Sequence, residues 1–231
     1  MSKTAWIIFG SVIVLLFGGL IVWSRISSPP INVTGVGTNS VAVASKQNGQ
    51  IADHTFGKTD SKVVLIEYGD FQCPSCGGAH PQIKALTEEY KDKILFIFRN
   101  FPLTTIHPNA RVASAAAEAA GLQGKYWEMH NLVYESQDEW NTLTGAARTD
   151  KFVEYAVALG ANKDQFLKDL AASAVNQKIS FDQALAKKDS VDATPTFFLN
   201  GKKVDADVSG AIVQGNSAKL KALIDTALST N

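Results

Sequence analysis

The sequence predicts an α/β protein: a buried sheet carrying a redox site, interrupted by a long helical insertion and preceded by one N-terminal transmembrane helix. Three observations lead there. Cys73 and Cys76, the only cysteines in 231 residues, lie between an apolar run (Val63-Val64-Leu65-Ile66) and a helix-like segment from Pro74 to about Tyr90. About 90 residues of helical pattern then separate Pro102 from the next strand signal at Thr196. Finally, Thr4 to Ser24 contains no charged residue. The expected organisation is an anchor over residues 1–25, a flexible linker over 26–51 and one domain over 52–231, with the insertion at about 103–190. Net charge is zero, with 22 basic and 22 acidic residues. That points to no nucleic-acid or acidic-surface partner.

The N-terminal segment is mostly Ile, Val, Leu, Phe and Gly, and as a helix it spans roughly 30 Å, the thickness of a bilayer core. Trp6 and Trp23 stand at its two ends, where amphipathic rings favour the interface. A cleaved signal peptide has a shorter apolar core and a small-x-small site just after it. Trp23-Ser24-Arg25-Ile26 is a poor site and Ala42-x-Ala44 is too distant, so the reading is an uncleaved anchor. Lys3 and Arg25 flank the segment on either side, which leaves the positive-inside rule nearly silent. Residues 27 to 51 are rich in Ser, Pro, Gly, Asn and Thr without period. They read as a linker of about 25 residues reaching on the order of 30 Å. Asn32-Val33-Thr34 fits a glycosylation triplet, a pattern common by chance.

Lys62 to Tyr68 is the first strand, and its unbroken apolar run marks a central strand buried on both faces. Glu67 at its end is expected to be desolvated, with a raised pKa; the alternative is a solvated glutamate. Asp70 reads as a turn residue. A strand running into Cys73-Pro74-Ser75-Cys76 and then a helix is the thioredoxin-type redox arrangement. The first thiol lies at the helix N-terminus, where free N–H groups and the dipole favour the nucleophilic thiolate. The second, one turn in, is placed to close a disulfide. Pro74 fits the first helical position. Zinc would need four ligands, but no other cysteine exists and His54, His80, His107 and His130 are scattered; no metal is expected. Covalent haem needs His directly after the second Cys, where Gly77 stands. A structural disulfide closing so small a loop would contribute little.

Pro81 should kink the helix near Gly77. His80, four residues after Cys76, is placed on its face, either tuning a thiolate or, more simply, exposed or packed. Ile94 to Phe98 is the next strand. Helical spacing follows over Ala110–Ala120, Lys125–Glu135, Asp150–Leu159, Lys163–Ala172 and Asn176–Lys187, punctuated by Gly121, Gly124, Gly145 and Gly160. Trp127 and Trp140 read as core. Asn200-Gly201 between Thr196–Leu199 and Lys202–Val204 signals a hairpin. Ser217 to Ser229 closes the domain as a helix.

The stretch Glu67 to Pro81, E-Y-G-D-F-Q-C-P-S-C-G-G-A-H-P, resembles the DsbA family of thiol–disulfide oxidoreductases, in particular its membrane-tethered, Gram-positive-type members. Phe98–Leu103, His107–Ala110, Tyr126–His130 and Ala193–Phe197 resemble the same family, and the likeness runs from about residue 52 to the C-terminus. It implies a DsbA-like thioredoxin fold with the helical insertion. It also implies a cis-proline loop at Thr194-Pro195 set against the dithiol, free to pair with an extended substrate chain. Glu67 would help deprotonate Cys76. Ser75, where some members have His, would offer less help to the thiolate. The implied activity is oxidation of reduced exported proteins by a Cys73–Cys76 disulfide, with no other cofactor, outside the cytoplasm as a dithiol of this kind requires. A quinone-linked membrane oxidoreductase, DsbB-like or VKOR-like, would reoxidise it. An isomerase or reductase, or a tethered peptide- or metal-binding module without turnover, are the alternatives. Known isomerases of this type dimerise through a dedicated N-terminal domain, and here an anchor and linker occupy that place.

Overall fold

The computed structural model describes residues 6, 9–15, 17–18 and 30–230. The chain divides into two units, residues 1–32 and 33–231. Of the expected anchor, residues 9–15 and 17–18 are helical and the rest lies largely outside the described residues. Among the described residues no helix is long and apolar enough to cross a membrane.

The second unit is built on five strands: β1 (His54–Gly57), β2 (Val64–Gly69), β3 (Leu95–Asn100), β4 (Thr196–Leu199) and β5 (Lys202–Lys203). Their order in the sheet is β1-β3-β2-β4-β5. β2 and β3 run parallel, and the other pairs are antiparallel. The apolar run of β2 makes it the central strand, buried at every residue. Glu67 is therefore walled in on both sides, opposite Phe98 of β3 and Phe197 of β4.

Helix α1 (Pro74–Glu89) follows β2 directly and runs unbroken through Pro81. Between β3 and β4 lie α2 (Ala110–Gly121), α3 (Tyr126–Glu135), α4 (Gln137–Trp140), α5 (Gly145–Ala158), α6 (Lys163–Leu170) and α7 (Ser173–Lys188). This is the expected helical insertion. The alanines of α2 are almost all buried, which lets its neighbours approach closely. Trp140 is fully buried and donates its indole N–H to the Val133 carbonyl at 2.8 Å. After β5 come α8 (Ala206–Val213) and α9 (Ala218–Ser229).

The segment expected to be a linker differs. From Val33 onward it belongs to the domain, and Ala42, Asn48 and Ile51 are buried. The reason is a buried ionic network that the polar composition concealed. Arg99 of β3 donates to the Ser40 carbonyl (2.7 Å) and to Asp53 (2.8 Å). Asp53 in turn accepts from the Ala42 N–H at 2.8 Å and from Lys178 of α7 at 3.0 Å. Lys178 also meets Asp182 at 2.6 Å. Asp182 and Glu118 both accept from the Asn100 side chain, and Glu118 bonds His54 of β1. Buried charges persist only where they are paired in this way.

Candidate active site

Cys73 is the N-cap of α1, with extended backbone (φ −69°, ψ 122°), and Pro74 takes the first helical position. Its thiol lies 3.5 Å from the Thr194 carbonyl oxygen. The Thr194–Pro195 bond is cis, so the loop before β4 and the start of α1 meet at the sulfur. Both thiols are free in this structure. Cys73 is 7% exposed, while Cys76 is fully buried. Pro74 and Ser75 face solvent.

The two thiols have opposite electrostatics. Cys73 is held at about 5, chiefly by a hydrogen bond from the Cys76 thiol. Burial works against this, while the N–H groups of Cys76 and Ser75 support it. That is the helix-terminus effect acting with a neighbouring donor. Ser75 contributes through its backbone N–H. Cys76 is pushed well up by burial, then by its bond to Cys73 and by the charges of Cys73 and Glu67. Glu67, 3% exposed, rises to about 8 through burial alone. The solvated alternative for Glu67 is thus excluded, and a neutral carboxyl sits beside the resolving thiol.

The helical insertion holds the dithiol loop, and sequence reasoning missed the residues that do so. Gln137 of α4 donates to the carbonyls of Phe71 (2.7 Å) and Cys73 (3.1 Å). Gln72 donates to the Asn141 carbonyl at 2.7 Å and accepts from the Asn109 N–H at 2.6 Å. Asp70 is a turn residue as expected, accepting from Gln72 N–H at 2.8 Å. It also accepts from Leu103 N–H and contacts His107, both at 2.8 Å. Single glutamines and asparagines carry no motif, and their role depends on how the insertion folds back. His80 is packed rather than exposed. It is 5% exposed, and burial lowers it to about 4, so it is neutral near pH 7. Among the described residues no cluster of three His, Cys, Asp or Glu side chains is placed to hold a metal.

Beside the dithiol runs a groove of about 350 Å³. Ser75 and the Thr194-Pro195 loop form one wall, and Ala206, Ser209 and Gly210 of α8 form the other. Sequence reading did not find α8, whose Gly210 and β-branched valines weaken its helical signature.

Buried dithiol, cis-proline loop and central parallel pair together define a thioredoxin-type protein. The thioredoxin family model matches residues 50–222, and the chain belongs to that family, with a DsbA-like helical insertion. Among solved structures, BdbD from Bacillus subtilis is 21% identical with a TM-score of 0.64, over 83% of this chain and 99% of that one. MdbA, a thiol-disulfide oxidoreductase from Corynebacterium diphtheriae, is 21% identical with a TM-score of 0.59, over 77% and 94%. These likenesses show the fold. A curated relative, the Na(+)/H(+) antiporter NhaA 1 of Salinispora arenicola, is 40% identical over 151 residues, which is 65% of this chain and 22% of the antiporter. The chain thus spans less than a quarter of the length of the curated relatives it matches.

Proposed function

We propose that the protein is an extracytoplasmic thiol–disulfide oxidoreductase that donates a Cys73–Cys76 disulfide to reduced exported proteins. The observation that carries this is the Cys73 thiol held at about 5 beside a buried, high-pKa Cys76. A substrate thiolate attacks Cys73, forming a mixed disulfide and expelling Cys76 as a thiolate that must take up a proton. Attack of a second substrate thiol on the mixed disulfide releases oxidised substrate and a Cys73 thiolate. That thiolate is a good leaving group because its pKa is low. Stabilising it also stabilises the reduced enzyme. A thiolate two units below pH 7 contributes about 3 kcal/mol, roughly 60 mV toward an oxidising potential. The groove beside Thr194 and Pro195 offers a place for an extended peptide. Electrons would pass on to a quinone-linked membrane oxidoreductase, DsbB-like or VKOR-like, and no cofactor beyond the dithiol is needed. Equilibration with glutathione tests the direction. An oxidising potential is expected, and a strongly reducing one would replace the oxidase by a reductase.

The membrane assignment belongs to the same proposal. Residues 1–25 act as a single-pass anchor, supported by the uncharged run from Thr4 to Ser24 and by the exposed apolar side chains of Phe9, Leu15 and Phe17. Fractionation should leave the protein with membranes, and a soluble mature product beginning after residue 25 would remove the anchor. Transport activity is not proposed, because the match covers so little of the antiporters.

A further inference from the structure

A helix N-terminus is ordinarily held by the side chain of its N-cap residue, which accepts a hydrogen bond from the first turn. In α1 no such bond is made among the described residues. Its N-cap is Cys73, whose sulfur is given to exchange. The side chain that grips this terminus comes from the insertion instead. Gln137, the first residue of α4, donates from Nε2 to the Phe71 carbonyl (2.7 Å) and to the Cys73 carbonyl (3.1 Å). Two amide hydrogens meet two carbonyls. The reverse orientation would set the amide oxygen against both, so its partners fix it as a donor. The Cys73 carbonyl also accepts the Gly77 N–H at 3.1 Å, the first helical bond. Gln137 is itself fixed by α4, whose last residue is the fully buried Trp140. Its Oε1 lies over Gly77, where an added Cβ would stand 2.7 Å from it. Gly77 has ordinary helical backbone, so what its missing side chain supplies is room for the glutamine.

We propose that Gln137 is a positioning residue of the dithiol reaction, holding the Cys73 backbone so that the sulfur stays in line with the N–H groups that open α1. The inference rests on the oxidoreductase reading above. In that exchange two substrate thiols are oxidised to a disulfide. The Cys73–Cys76 disulfide is reduced to a Cys73 thiolate and a Cys76 thiol, and one proton goes to solvent. The sulfurs part and Cys73 acquires a charge, while the peptide around it must not drift. A thiolate at an N-cap is stabilised only while the N–H groups behind it keep their aim. The Ser75 and Cys76 N–H groups do this here, and both belong to the turn that the Cys73 carbonyl closes. Bonds made by Asp70 and Gln72 secure the preceding residues of the loop. Among the described residues, Gln137 is the one side chain bonded to the Cys73 carbonyl. Its loss therefore weakens the reduced form more than the oxidised form, in which the disulfide itself ties Cys73 to Cys76.

Gln137→Met in the full-length protein tests this, since it keeps the length of the side chain and removes both donated bonds. Alkylation by iodoacetamide should place the Cys73 midpoint about half to one pH unit higher, the roughly three- to ten-fold effect of one lost hydrogen bond. Equilibrium with a glutathione buffer should shift by a similar factor toward the oxidised protein, making it a weaker oxidant. The urea midpoint of the reduced form should fall more than that of the oxidised form. Gly77→Ala is a second variant, should the first fail to fold. Alanine within a helix ordinarily stabilises relative to glycine, but here its methyl group displaces the Gln137 amide and should raise the Cys73 midpoint as well. Combined in one chain, the two substitutions should give no more than the Gln137→Met shift, because both act through the same bonds. An unchanged Cys73 midpoint and glutathione constant in either variant overturns the proposal, whatever the loss of stability, and leaves Gln137 as a fastening of the insertion. Additive shifts in the double variant overturn it too. A parent protein that exchanges no disulfide at all overturns the oxidoreductase reading. One that exchanges, but whose Cys73 midpoint ignores both substitutions, overturns this inference alone.

Discussion

At the scale of single residues, the dithiol behaves as one coupled unit. The largest influence lowering Cys73 is the Cys76 thiol beside it, so each cysteine sets the other's chemistry. Cys73→Ser should abolish exchange, and Cys76→Ser should accumulate mixed disulfides on Cys73. The two replacements of Cys76 should also differ. Cys76→Ala removes the donor and should raise the Cys73 alkylation midpoint clearly above about 5, whereas Cys76→Ser keeps an O–H donor and should raise it less. Equal midpoints in both variants would assign the thiolate to the helix terminus alone. Glu67 gives a second prediction. Its folded pKa of about 8 lies above the ordinary 4.5, so the native state holds a proton that the unfolded chain releases across that window. Stability of the oxidised parent should therefore fall as pH rises from 4.5 through 8. Glu67→Gln removes this slope. Its advantage in urea should be small at pH 4.5 and grow to a few kcal/mol by pH 8.5, with slower exchange at Cys76. A constant difference between the variants across pH would mean that Glu67 ionises freely.

At the scale of elements, the insertion is fastened to the sheet by charge as well as by apolar packing. Lys178 on α7, fully buried, stands between Asp53 and Asp182. Asp182 still rises to about 6, because burial outweighs Lys178 with Asp53 and Glu118 nearby. Lys178→Met should cost about 3–5 kcal/mol near neutral pH, since it strands buried carboxylates. Without the lysine those carboxylates protonate more readily in the native state than in the unfolded chain. The loss should therefore shrink as pH falls toward 5 and be largest at pH 8. Denaturation curves at the two pH values check this, and a loss independent of pH would assign the effect to packing. None of this network was visible in the sequence. Asp53 precedes β1, Arg99 lies in β3, and Lys178 and Asp182 stand one turn apart on α7, and only the folded topology brings the three places together. The strands β2 and β3, the helix α1 and most of the insertion were legible, because their apolar periodicity is strong. β1 and α8 were not, one being four residues at the sheet's edge and the other a short helix holding Gly210. The same division holds at the site. Cys73, Cys76 and the Thr194-Pro195 loop announce themselves by motif, while Gln137 acts through position alone.

At the scale of the whole molecule, composition misplaced the start of the folded unit. A Ser-, Gly- and Asn-rich stretch reads as linker whether or not a partner surface awaits it, and here that surface is the charged network behind β3. Ile51 packs against Ala115, Val175 and Ile179. Ala42 supplies an N–H to Asp53, and Ser40 supplies a carbonyl to Arg99. A chain begun at residue 33 should therefore fold with the stability of the full domain. A chain begun at residue 52, the boundary the sequence suggested, loses the Ile51 side chain, worth about 1.5–3 kcal/mol when fully buried. It also leaves the Arg99 guanidinium and the Asp53 carboxylate each short of a partner, at about 1–3 kcal/mol apiece. The shorter chain should unfold at a markedly lower urea concentration. Because Arg99 and Asp53 lie behind the sheet, away from the dithiol, its Cys73 alkylation midpoint should stay near about 5 under conditions where it is folded. Equal urea midpoints for the two chains would show that residues 33–51 contribute nothing to the fold. A shifted Cys73 midpoint would show that the network reaches the site through β3 and β2.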